Sequence, residues 1–214
     1  MRTQLLNKTR WVLALALLVV LAVLVPTGNG QLAVAQTGPG EGIICTTSPD
    51  ATFTLTTKTG YIGTPDDNVV YMWGYSEGGS PFQHPSPVLC VNEGDTVTIV
   101  LHNTLPEDVS IMFPGQEDVL ADGAPAQPQF DGGGNLTSLT NVAPADGGSV
   151  TYSFVADSPG TFLYQSGTDP AKQVRMGLFG VLIVRPALGP NYVNNRPDSQ
   201  FDPDTEFLVL LSEI

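Results

Sequence analysis

The chain has 214 residues, with eight basic and 21 acidic side chains and a formal net charge of −13. So acidic a surface repels nucleic acid and anionic lipid, which excludes both as electrostatic partners. A hydrophobic content of 42% belongs to a globular chain rather than a disordered one.

Basic Arg2, Lys8 and Arg10 precede an apolar run from Trp11 to Val25, followed by Pro26, Gly28, Gly30 and the small-residue pattern Ala33-Val34-Ala35. That is the layout of a secretory signal, read over residues 1–35. The run is short for a membrane span, which needs about 20 apolar residues. An uncleaved N-terminal anchor is the alternative; in both cases the remainder is expected outside the cytoplasm, secreted and without a stable membrane span once the signal is cut. No acid precedes Glu41, so cleavage makes the acidic excess larger still. A flexible lead over 36–50 is expected next, then one domain over 51–200. Cys45 and Cys90 are the only cysteines. In an oxidising compartment an isolated pair reads as a disulfide, with two free thiols as the alternative.

Short β-prone runs follow at 52–57, 69–74, 88–91, 96–102, 149–155, 161–165, 178–184 and 207–211, each flanked by Gly, Pro, Asp or Asn. The runs at 52–56 and 96–101 alternate polar and apolar residues, so each can set one face on a core and the other in water. With 23 glycines and 18 prolines and no helical period over three turns, the pattern predicts an all-β antiparallel sandwich or barrel. Residues 116–135 read as a long loop, expected to be disordered. The terminal 201–214 reads as the start of a linker or strand toward a second domain, so that the chain is a fragment; a last strand closing the sheet edge is the alternative.

Three segments taken in order carry a resemblance. They are 87–97 with its turn Glu93-Gly94-Asp95, 102–116 with Ser110-Ile111-Met112-Phe113-Pro114-Gly115, and 160–184 with Tyr164-Gln165-Ser166-Gly167 and a run from Met176 to Val184. Together with Glu206 to Glu213, they resemble the first plastocyanin-like domain of the multicopper oxidases. The resemblance implies a Greek-key sandwich or barrel of the cupredoxin type, and copper-dependent oxidoreductase chemistry for the family. In the family the second segment reads Ser-Ile-His-x-His-Gly and the third Tyr-His-Ser-His, and these four histidines hold part of a trinuclear copper cluster. Here Met112, Pro114, Gln165 and Gly167 stand in their places. Proline and glycine side chains offer no donor, a neutral amide is a poor ligand for Cu(II), and a lone thioether suits only Cu(I) weakly.

Other residues do not rebuild a centre. A blue-copper site takes two His, a Cys thiolate and a weak axial Met, and the chain has His84, His102, two cysteines and Met72, Met112 or Met176. The order is wrong, because Cys90 opens an early strand and nothing from Tyr164 to Met176 is Cys or His. His84 reads as a surface-loop imidazole and His102 as a hydrogen-bonded strand end. Ser110 and Ser166 lack a nucleophile elbow. Asp66-Asp67 and Asp202-Pro203-Asp204 lack the ligand spacing of a calcium loop and read as solvated turns. Asn135-Leu136-Thr137 is a glycosylation sequon that matters only in a eukaryotic secretory pathway.

The expectation is therefore no catalytic residue, no metal or cofactor ligand and no cofactor in this chain, the paired Cys45 and Cys90 being its one assigned feature. Function is read as the non-catalytic leading domain of an exported multicopper-oxidase-like protein. The alternatives are an extracellular binding module on the same scaffold and a copper oxidoreductase whose metal sites lie in a downstream domain. The partner is expected to be a second cupredoxin domain or another envelope or extracellular protein.

Overall fold

The alternation at 96–101 sets the register of the whole molecule. In the computed structural model, which describes residues 43–213, Val97, Ile99 and Leu101 are buried while Thr96 and His102 are exposed. Among the described residues eleven strands are formed: β1 (Thr52–Gly63), β2 (Val69–Glu77), β3 (Val88–Asn92), β4 (Thr96–His102), β5 (Leu120–Ala121), β6 (Ala124–Pro125), β7 (Gln129–Phe130), β8 (Leu136–Ser138), β9 (Ser149–Val155), β10 (Gly160–Gln165) and β11 (Phe179–Arg185). A single turn of helix, α1 (Pro170–Gln173), joins β10 to β11. The signal read at 1–35 and the lead up to residue 42 lie outside the described residues.

The strands form a six-stranded sheet in the order β2-β1-β4-β9-β5-β6, a three-stranded sheet β10-β11-β3 and a small ribbon β7-β8. The all-β expectation holds, but the sheets are mixed rather than antiparallel. β1 runs parallel to β4 and β3 parallel to β11. A parallel pair needs a long crossover, and strands supply it here in place of helices. The chain leaves β1, passes through β2 and β3 and returns as β4.

The core lies between the two larger sheets. Phe53, Leu55, Ile99, Leu101, Val150 and Tyr152 meet Leu89, Val91, Tyr164, Leu182 and Val184 in one apolar cluster. Because side chains alternate along a strand, Cys90, Val181 and Ile183 point to the opposite face of the small sheet. There Ile43, Cys45, Leu208 and Leu210 cover them. β11 is consequently buried on both faces and apolar at nearly every position. Cys45 and Cys90 form a disulfide with a Cα–Cα distance of 5.5 Å, inside the range such a bond requires. It fastens the lead to β3, where Thr46 N–H also donates to Val88 O at 2.8 Å.

Two further expectations are corrected. Residues 116–135 are ordered as β5, β6 and β7. Asp122 and Gly123 both take positive φ, 51° and 81°, which suits the two-residue hairpin loop between Ala121 and Ala124. Residues 207–211 form no strand. Their alternation is real, with Leu208 and Leu210 packed inward and Phe207, Val209 and Leu211 exposed, but no neighbouring strand offers a ladder. Glu206 instead pins this strap through two hydrogen bonds from Arg185, at 2.8 and 2.6 Å.

Candidate functional site

The segment after β4 is shaped by one buried amide. Asn103 Nδ2 donates to Glu107 O at 2.7 Å and to Ala143 O and Pro144 O at 3.1 Å, and its Oδ1 accepts from Leu105 N at 3.0 Å. Buried polar groups must be paired to avoid a desolvation cost, so this arrangement fixes the path of the chain toward Ser110. Tyr75 and Tyr152 then hold it from below. Tyr75 Oη donates to Ser110 O at 2.7 Å, and Ile111 N donates to Tyr152 Oη at 3.1 Å. Burial pushes both phenols above their ordinary range.

Of the four positions that the resemblance sets opposite the family's histidines, three come together. Met112 and Gln165 face each other in an antiparallel bridge: Met112 N donates to Gln165 O at 2.7 Å and Gln165 N to Met112 O at 3.1 Å. Gly167 lies beside them. A Cβ built at Gly167 would stand 2.8 Å from Met112 Cγ, 3.1 Å from its Sδ and 3.2 Å from Ser110 Oγ. Pro114 is exposed and lines, with Met112, Val119 and Ala126, an apolar hollow of about 330 Å³.

The residues at this face do not fit a copper centre. Met112 contributes one thioether, Gln165 one neutral amide, and Pro114 and Gly167 no side-chain donor. The space above Gly167 is already taken by Met112. The blue-copper set fares no better, since both cysteines are in the disulfide and Met72 is sealed in the interior. Among the described residues no three His, Cys, Asp or Glu side chains stand together as a metal site.

Elsewhere His84 differs from expectation. His102 ends β4 with its side chain exposed. His84 is not a surface imidazole but half-buried, its ring edge-on to Phe179 at 5.6 Å and its Nδ1 without a partner among the described residues. Desolvation holds its pKa below the ordinary value.

What sequence reasoning missed is a group of hydroxyls. Ser110 Oγ lies 3.2 Å from Ser138 Oγ and 2.9 Å from Thr168 Oγ1, Thr168 Oγ1 donates to Ser138 Oγ at 3.0 Å, and Gly167 N donates to Ser110 Oγ at 3.1 Å. Ser166 Oγ donates to Gln173 Oε1 at 2.6 Å, and Gln173 Nε2 reaches Asp108 O at 2.9 Å. Neither serine is activated by a histidine, so no triad is assembled. Small hydroxylic residues flanking both substituted segments were the available signal.

A family profile described as multicopper oxidase matches residues 63–188. The chain is 35% identical over 132 residues to an L-ascorbate oxidase of Cucurbita maxima, covering 61% of this chain and 20% of that protein. It is 36% identical over 104 residues to laccase abr2 of Aspergillus fumigatus, covering 49% and 16%. The chain thus spans about a fifth of the length of the curated relatives it matches. The crystal structure of a blue copper oxidase from Nitrosomonas europaea superposes with a TM-score of 0.51 at 22% identity, over 68% of this chain and 39% of that one, a likeness of fold. With the profile spanning β2 through β11 and the sandwich arranged as described, the chain belongs to the multicopper oxidase family.

Proposed function

We propose that this chain is the leading, non-catalytic domain of an exported multicopper-oxidase-like protein, supporting fold and assembly and holding no copper of its own. The observation that carries the reading is the donor set at Met112, Pro114, Gln165 and Gly167, which supplies one thioether and one amide where the family's pattern supplies four imidazoles. Copper used by the whole protein is then bound elsewhere. Export is supported by the signal-like N-terminus and by the Cys45–Cys90 disulfide, a bond suited to oxidising compartments.

Metal analysis of the purified chain, together with its visible spectrum and an assay on phenolic substrates, tests this reading. The expected result is no stoichiometric copper, no thiolate-to-copper band and no oxidation. One tightly held copper per chain overturns it.

A second reading, an extracellular binding module, draws on the paired and exposed Phe130 and Leu136 of the β7-β8 ribbon. A sandwich scaffold can host many sites. Pull-down from an extracellular fraction, with and without residues 115–135, separates the two readings: partners lost with the deletion support the module, and unchanged partners discard it.

A further inference from the structure

A metal ion ties together the segments that carry its ligands, so a scaffold without one must hold those segments by other contacts. We infer that the 110–112 and 165–168 segments are closed onto each other by a substitute clasp, in which Met112 fills the space left open by Gly167 and the hydroxyls of Ser110, Ser138 and Thr168 link both segments to the end of β8. This rests on the copper-free reading above and extends it to what replaces the metal.

Three observations support the clasp. The two segments exchange both backbone hydrogen bonds at Met112 and Gln165, which leaves their side chains free to differ. In the hydroxyl cluster Ser110 and Ser138 are buried, at 0% and 1% exposure, and Thr168 is half-buried, and its members are satisfied by one another and by Gly167 N. A closed polar network of this kind rigidifies the groups it joins. Finally, Met112 and Gly167 are sterically reciprocal. The thioether side chain occupies space that any residue larger than glycine would need, and methionine is well suited to filling an irregular gap. Gly167 is not in the left-handed region, so its role is room rather than backbone freedom.

The test is a double-mutant cycle on Met112→Ala and Gly167→Ala, read by thermal unfolding of the full chain with and without a chelator. Gly167→Ala alone should lower Tm by about 2–4 °C, the shift expected for roughly 1 kcal/mol in a chain of this size. In the Met112→Ala background the same substitution should lower Tm by less than half as much, because the added methyl then has room. Chelator should change neither value. Additive effects overturn the clasp whatever the copper content. Copper in the purified protein combined with a non-additive cycle overturns only the copper-free reading.

Discussion

Tyr164 and Gln165 are adjacent on β10, yet they belong to two regions under different constraints. Tyr164 is fully buried, its hydroxyl donates to Pro87 O at 2.7 Å, and its ring lies so close to Gly180 that a Cβ there would collide with it. Gln165 points the other way, where only its backbone is committed. The same division separates Ile111, 1% exposed, from Met112. In the core, close packing leaves each side chain little latitude. At the face, the backbone bridge keeps the geometry while the side chains at 112, 114, 165 and 167 present a thioether and an amide and no imidazole. Retention of a scaffold is therefore a statement about its core, and chemistry has to be read from the face by itself.

Three perturbations sharpen this division, from the scaffold outward. Replacing both Cys45 and Cys90 by alanine removes a bridge spanning 45 residues and should cost about 2–4 kcal/mol in urea unfolding. The loss should leave the face intact, because the bridge lies on the outer side of the small sheet. A loss below about 0.5 kcal/mol would mean that Ile43 and the strap hold that layer unaided.

Ser110→Ala acts on the face alone. It deprives Gly167 N of its acceptor and leaves Ser138 and Thr168 with one partner fewer, so a cost of about 1–3 kcal/mol is expected. Because the core is untouched, the urea m value should not change. A neutral substitution would show that the hydroxyl cluster contributes nothing to closure.

The smallest effect is a pH dependence belonging to neither region. Desolvation keeps His84 below its ordinary value, so below pH of about 6.5 the unfolded chain takes up a proton that the folded chain resists. Stability is full above that value and should decline as pH falls toward the folded pKa. His84→Phe should flatten the curve in this window. The decline at lower pH should remain, where Asp50, Asp66, Glu93 and Asp131, held down chiefly by side-chain hydrogen bonds from Ser48, Thr64, Asn195 and Asn135, take up protons.

Much of the scaffold was legible in the sequence because period-two alternation acts locally. The runs at 96–102 and 149–155 are β4 and β9 residue for residue, and the disulfide followed from the count of cysteines. The parallel pairs β1–β4 and β3–β11 were not legible, since a strand's own pattern does not say which distant strand lies beside it. Residues 207–211 show the same limit in reverse: a genuine alternation arises wherever one side of an extended segment packs, with or without a ladder. The hairpin at Asp122-Gly123 was hidden in a stretch rich in turn formers, where order depends on left-handed residues at the right places.

At the face, the sequence showed that no imidazole stands at 112, 114, 165 or 167 but not how these positions pack. The reciprocity of Met112 and Gly167 joins positions 55 residues apart in the chain, and the hydroxyl cluster joins Ser110 with Thr168 and Ser138. Only the three-dimensional arrangement brings either group together.

Copper retention reports on whether the face formed by Met112, Gln165 and Gly167 holds metal. The purified chain is incubated with excess Cu(II), dialysed against buffer containing a weak chelator, and its bound copper measured per chain. Far less than one copper per chain is expected, unchanged by Met112→Ala. One copper retained per chain and lost in that variant would show that the face holds metal after all.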